Sequence, residues 1–145
     1  MLRGIDPLLG PELLMILCMM GHGDEIAIVD GNYPAATDAR RLVRMDGHSA
    51  TAIAAAILSV MPLDEDRQAA FRPGIKGNPS HLEPVMQQFQ DIVTRFEPAV
   101  KIEPLMGPAF YEQVKSAFAI VASGERALYG NLVLRKGVVK PEAGA

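Results

Sequence analysis

The 145-residue chain has no tryptophan, and its aromatics are limited to three Tyr and five Phe. It has one cysteine, Cys18. A lone cysteine cannot close an intramolecular disulfide, so no disulfide framework staples the fold, and this usage fits a reducing cytoplasm. Basic charge is not in excess. Lys and Arg number 14 against 17 Asp and Glu, for a formal net charge of -3 and a pI of about 5.6. That excludes the electrostatic footprint of a nucleic-acid binder. No apolar run approaches the ~20 residues of a membrane span. The longest, 13–21 and 50–62, read as buried helices, so no membrane partner is expected. Near the start, Arg3 is followed by Gly4, Asp6 and Pro7 rather than a long apolar stretch, and no secretory leader is expected. The 13 Gly and 11 Pro fall without a period, which excludes collagen-like and low-complexity chains.

Chemistry-bearing patterns are also sparse. The three His and one Cys show no metal-ligand spacing. No glycine-rich phosphate loop joins a strand to a helix, and Ser123-Gly124-Glu125 lacks a nucleophile-elbow pattern. Neither a metal nor a cofactor is expected.

What is present is an aliphatic α/β pattern. Apolar residues make up 49% of the chain and charged residues 21%, close to an ordinary soluble domain. Mean hydropathy is +0.14, high for so small a chain. That surplus fits an aliphatic core or burial between subunits equally well. The length suits one domain over 1–145, with a loose tail at 140–145.

Pro11 suits the first position of a helix, with Glu12 in its first turn. Its apolar stripe is nearly all-round, predicting deep burial, and Gly21 is placed to end it. Residues 25–30 read as a buried strand. Then come a loop at 31–34 and a short strand at 42–45. A helix from Asp46-Gly47-His48-Ser49 to Val60 is predicted next, with Asp46 as its N-cap. Asp64, Glu65, Asp66 and Arg67 read as a solvated turn. Further elements are predicted as a strand at 68–72, a loop at 73–79, a helix at 82–96 and a strand at 99–103. A helix from Pro108 and strands at 119–122 and 132–134 complete the chain. This alternation predicts a single compact α/β domain, a central sheet flanked by helices.

Three places invite chemistry. Gly21-His22-Gly23-Asp24 sets a histidine between two glycines just past a helix, with Asp24 and Glu25 as acidic neighbours in sequence. Imidazole is the natural general acid/base near neutral pH. The plain alternative is a surface histidine in a turn. Asp30 closes a predicted strand, where ligands of open α/β sheets bind, or it simply forms the turn before Gly31. Tyr129-Gly130-Asn131 combines two donor–acceptor side chains with a glycine that admits close approach, or is an ordinary turn. Arg40, Arg41 and Arg44 form a small basic cluster of the kind usually just solvated.

Three further stretches complete a pattern with these: Leu8-Leu9-Gly10-Pro11-Glu12-Leu13-Leu14, Asp30-Gly31-Asn32-Tyr33-Pro34-Ala35 and Ser123-Gly124-Glu125-Arg126. With Met20-Gly21-His22-Gly23-Asp24-Glu25-Ile26 and Phe110-Tyr111-Glu112, the chain resembles the family of L-fucose mutarotases and D-ribose pyranases, closer to the fucose branch. The resemblance spans nearly the whole chain apart from 63–100. It implies that His22 is the acid/base residue and Asp30 a sugar-binding aspartate. Tyr129, Gly130 and Asn131 would complete the site across a subunit interface, with Tyr129 holding the sugar or assisting proton transfer. It also implies a cytoplasmic, cofactor-independent carbohydrate isomerase acting on a monosaccharide, built as a ring-like homo-oligomer and often a decamer. One position departs. The family's Arg or His, three residues before Phe110, is Gly107 here. Arg40 or Arg41 is the candidate substitute. The departure keeps open a sugar-binding protein without useful catalysis, a transport or regulatory accessory.

Overall fold

The computed structural model describes residues 1–144. Its elements run α1 (Pro11–Met19), β1 (Glu25–Val29), α2 (Ala35–Asp38), β2 (Leu42–Met45), α3 (Ala50–Leu58), β3 (Ala70–Pro73), α4 (Pro84–Phe96), β4 (Glu103–Leu105), α5 (Pro108–Ser116), β5 (Ala119–Ser123) and β6 (Leu132–Arg135). The strands form one mixed sheet in the order β2-β5-β1-β6-β3-β4. β1, β2 and β5 are parallel, as are β3 and β4, while β6 runs antiparallel to both β1 and β3. All strands except β6 therefore end on one edge of the sheet, and β6 begins there.

Side-chain alternation along the strands divides the core in two. Ile26, Ile28, Ala119, Val121, Leu132 and Leu134 meet α1, α3 and α4 on one face. Ala27, Val29, Ile120, Ala122 and Val133 meet α2 and α5 on the other. Both faces of the central strands are covered, so β1 and β5 read as continuous apolar runs rather than alternating ones. Each fully buried Ile or Phe, such as Ile53 or Phe89, contributes roughly 1.5–3 kcal/mol.

The predicted single α/β domain is the observed architecture, with several local differences. Ser49, not Asp46, caps α3: its Oγ accepts from the Ala52 N–H at 3.2 Å. Asp46 instead takes Arg44 in a two-pronged pair at 3.0 and 2.7 Å. The 31–39 connection contains the short helix α2, which a four-residue span leaves without readable periodicity. The strand expected at 99–103 lies later, at Glu103–Leu105. α1 is not buried all round. Leu13, Ile16 and Leu17 face the core, but Met15 and Met19 stay 54% and 55% exposed, and Cys18 is exposed as well. Of the predicted tail, 140–144 is exposed, and Ala145 lies outside the described residues. No helix among the described residues is long and apolar enough to cross a membrane.

Candidate active site

His22 sits in the turn between α1 and β1, and four hydrogen bonds with Lys136 hold that turn. The Gly23 N–H donates to the Lys136 carbonyl at 2.9 Å, and the Lys136 N–H donates to the Asp24 carbonyl at 2.8 Å. The Lys136 ammonium donates to the carbonyl of Leu17 in the last turn of α1 and to that of Met20 just past it, at 2.8 and 2.6 Å. A cation is favoured at that negative helix end. Gly23 has φ +90°, and a Cβ there would fall 2.3 Å from Arg67 Nη2. Only glycine takes that conformation cheaply while leaving room for the guanidinium.

The acidic partner of His22 is Asp64. Its Oδ1 lies 3.2 Å from His22 Nε2 and accepts the Asp66 N–H at 2.9 Å. Its Oδ2 accepts from Arg67 Nε at 3.3 Å. The Asp64 side chain is fully buried, whereas His22 is about half exposed at 46%. The Asp66 N–H holds the Asp64 carboxyl below the usual carboxylate range, with help from His22 and Arg67, while burial opposes. A small cleft of 130 Å³ opens over the pair, rimmed by Glu65, Asp66, Val138 and Lys140. The reading of 64–67 as a solvated turn is therefore wrong at Asp64, which long-range packing against His22 has drawn inward. Asp24 and Glu25 do not supply the expected acidic neighbour. Asp24 Oδ2 accepts the Gly21 N–H at 2.8 Å, and Glu25 pairs with Arg135 at 3.3 Å.

His22, Asp64 and Asp66 each bring a potential metal-ligand atom within 4.8 Å of the others. That grouping joins positions 42 and 44 residues apart, so no local spacing announces it. Arg67 already supplies positive charge to Asp64, so the carboxylate is compensated without an ion.

Asp30 lies elsewhere, just beyond the end of β1. Its backbone N–H donates to Asn131 Oδ1 at 2.8 Å, and Asn131 Nδ2 donates back to Asp30 Oδ2 at 3.1 Å. Asp30 Oδ1 also accepts the Asn32 N–H at 2.9 Å. A carboxylate offers about four acceptor sites, so capacity remains for a ligand hydroxyl. Asn131 is buried at 6% exposure. Tyr129 stands in the left-handed region at φ 62° and is 38% exposed. At Gly130 a Cβ would meet Glu125 Cγ at 2.6 Å and the Ala127 carbonyl at 3.1 Å, so the turn closes only around glycine.

The structure thus brings Asp30, Tyr129, Gly130 and Asn131 together and separates them from His22. β1 runs between the two groups, roughly 13 Å over its four residue steps at about 3.3 Å each. Two aromatic residues that belong to the family pattern but were assigned no role share the strand-end edge with Asp30. Tyr33 and Tyr111 stack with centroids 6.2 Å apart and planes 22° from parallel. The Tyr33 hydroxyl donates to Asp38 Oδ2 at 2.8 Å. Burial first, then Asp38, pushes the Tyr33 phenol well above its ordinary pKa. Gly107 caps α5 at φ 51°, with open space where a Cβ would sit. Arg41 does not substitute for the missing cation. It lies before β2, on the opposite edge, with its guanidinium 3.8 Å from the Phe118 ring centroid and donating to the Phe118 carbonyl at 3.1 Å.

Comparison with known proteins matches residues 3–139 to the RbsD / FucU transport protein family. The chain belongs to this family. Among relatives, it is 39% identical to the fucose mutarotase of Danio rerio, over 97% of this chain and 96% of that one. It is 40% identical to the fucose mutarotase of Homo sapiens, over 95% and 94%. Among solved structures, it is similar to the fucose mutarotase of Streptococcus pneumoniae in complex with L-fucose. The identity is 35%, the TM-score 0.87, and the coverage 96% of this chain and 100% of that one. The family therefore spans both groups of candidate residues, which lie within the matched region.

Proposed function

We propose that this protein is a sugar mutarotase that interconverts the α and β anomers of a fucose-like monosaccharide. The observation that carries the reading is the His22–Asp64 pair, present in a chain that matches fucose mutarotases from end to end. Anomer exchange needs the pyranose ring opened and reclosed. A base takes the anomeric O–H proton, an acid protonates the ring oxygen, and the C1–O5 bond breaks to give the open-chain aldehyde. Rotation about C1–C2 and the reverse steps give the other anomer. No electrons are exchanged with the protein. His22 is the proton carrier, half exposed to substrate and held by buried Asp64. Such general acid/base assistance is worth roughly 100- to 10,000-fold.

Asp30, Tyr129 and Asn131 bind the sugar. Their distance from His22 within one copy supports a site assembled from two copies, His22 of one beside Asp30, Tyr129 and Asn131 of the next. That arrangement agrees with a ring-like homo-oligomer, a decamer by resemblance, and with the exposed Met15 and Met19. The unpaired Cys18 agrees with a cytoplasmic location.

Magnetisation exchange between anomer signals across L-fucose, D-ribose and D-galactose tests the activity. Exchange by His22→Ala equal to that of the parent would refute the role of His22. Subunit mixing tests the assembly. His22→Ala and Tyr129→Ala, each inactive alone, should recover about a quarter of parental activity when refolded together at equal amounts. No recovery would place the whole site in one copy. Gly107 favours a second reading, a sugar-binding protein without catalysis. Saturable sugar binding without faster anomer exchange would establish it.

A further inference from the structure

Away from both groups lies a pocket of 440 Å³ between α4 and the β3–β4 edge, which the sugar chemistry does not use. Its floor is Arg72, a residue only 4% exposed. Arg72 has no carboxylate partner among the described residues. Nη1 donates to the Pro73 carbonyl at 3.2 Å and approaches Met86 Sδ at 3.5 Å, and Nη2 donates to the Pro79 carbonyl at 2.8 Å. A guanidinium carries five N–H donors. The Nε–H and one N–H of Nη2 have no protein acceptor among the described residues, and Nε keeps contact with solvent rather than being sealed off. A buried charge is ordinarily paired, because carbonyl dipoles only partly replace the water it gives up.

The surroundings point the same way. Arg72 and Lys101 both line the pocket, and no acidic side chain does. Lys101 has no ion-pair partner among the described residues. The rest of the wall is largely apolar, with Leu82, Met86 and Ile102 prominent.

We propose that this pocket binds a small organic monoanion, with its carboxylate on Arg72, its second charge contact at Lys101, and a short aliphatic body along Leu82, Met86 and Ile102. The two vacant Arg72 donors match the two oxygens of a carboxylate. The apolar wall favours a chain-bearing carboxylate over a hydrated phosphate. The inference does not depend on the sugar reading, since it shares no residue with either candidate group.

The test titrates the intact protein with sodium hexanoate, its neutral isostere hexanamide, and inorganic phosphate. Two-dimensional NMR follows the Arg72 Nε–H and the methyl groups of Leu82, Met86 and Ile102. Hexanoate is expected to give saturable shifts at these groups. Hexanamide should bind about 10- to 100-fold more weakly, the loss of a charged hydrogen-bond pair, and phosphate should not saturate. Lys101→Glu, an exposed rim change, should weaken hexanoate at least about threefold. Arg72→Met should abolish the preference for hexanoate over hexanamide. If Arg72→Met does not fold, Lys101→Glu and the hexanamide comparison still decide. Equal binding of hexanoate and hexanamide, undiminished binding to Lys101→Glu, preferential saturation by phosphate, or no saturable shift at these groups would each overturn the proposal.

Discussion

Replacing Asp64 by Asn separates charge from shape at the heart of the candidate site. The side chain keeps its size and one oxygen, which can still accept the Asp66 N–H. It loses the negative charge facing His22 Nε2 at 3.2 Å and Arg67 Nε at 3.3 Å. A hydrogen bond to a charged group is worth about 1.5–3 kcal/mol. His22 is 46% exposed, so solvent screening leaves about 1–2 kcal/mol in the transition state. At 1.36 kcal/mol per decade, that is roughly a 5- to 30-fold slower anomer exchange. Stability should fall by only about 1 kcal/mol, because Arg67 is mostly exposed and the backbone contact is retained. Magnetisation exchange on L-fucose measures the rate, and thermal unfolding run in parallel confirms the fold. The double variant with His22→Ala is the sharper control. If Asp64 acts through the imidazole, Asp64→Asn adds nothing once His22 is gone. A folded Asp64→Asn protein exchanging at the parental rate would refute the pairing argument. So would fully additive losses in the double variant.

Acid titration should show the same carboxylate from the folding side. Asp64 is held below its unfolded value, so its stabilisation is complete above the ordinary carboxylate range and is lost as pH falls through the folded value; denaturant melts from pH 6 to pH 2 should fall less steeply for Asp64→Asn than for the parent. Asn131→Ala removes both arms of the contact with Asp30 and should cost about 1–3 kcal/mol, read by urea melts, with weaker sugar binding by calorimetry. Gly23→Ala meets both a φ of +90° and Arg67 Nη2; a loss of about 1–3 kcal/mol is expected, and an unchanged urea midpoint would show that the turn tolerates a side chain. Gly107→Arg enters open space but sits at φ 51° and ψ -130°; it should tighten L-fucose binding by roughly 10-fold or more at a stability cost of about 1–3 kcal/mol from that backbone conformation, and unchanged affinity would show that the position does not face the sugar.

The sheet was legible because its central strands carry dense β-branched and aliphatic runs bounded by glycine. Ile26–Val29 and Ile120–Ala122 could hardly be anything else. The edges were less so. β4 contains Pro104 and only three residues, so neither alternation nor propensity marks it. His22, Asp30 and Asn131 stood out through their glycine neighbours and, above all, through resemblance. Asp64 did not, because an Asp in an Asp-Glu-Asp-Arg run looks like solvated charge. Its burial is a tertiary fact, created by the turn that β6 and Lys136 hold against it. Arg72 was hidden for the same reason: nothing local distinguishes a buried arginine from an exposed one.

On the proposed reading, the two ends of β1 carry complementary halves of one chemistry. At one end stands an imidazole paired with a buried carboxylate, and at the other an acceptor-rich turn that shares its edge with a pair of stacked tyrosines. Each end lacks what the other has: the cleft over His22 is only 130 Å³, and the Asp30 end is rich in hydrogen-bonding groups but has no imidazole. A fold that kept both functions for one substrate would be wasteful as a monomer, since ~13 Å of strand, buried from Ile26 to Val29 in the middle of the sheet, prevents the halves from closing on each other. In the proposed ring, rigid separation within a copy would become an advantage between copies, because each subunit would offer one half-site in each direction. A head-to-tail contact of that kind generates a closed ring when its rotation closes. The exposed methionines of α1 and the surplus hydropathy are what such a contact would cover.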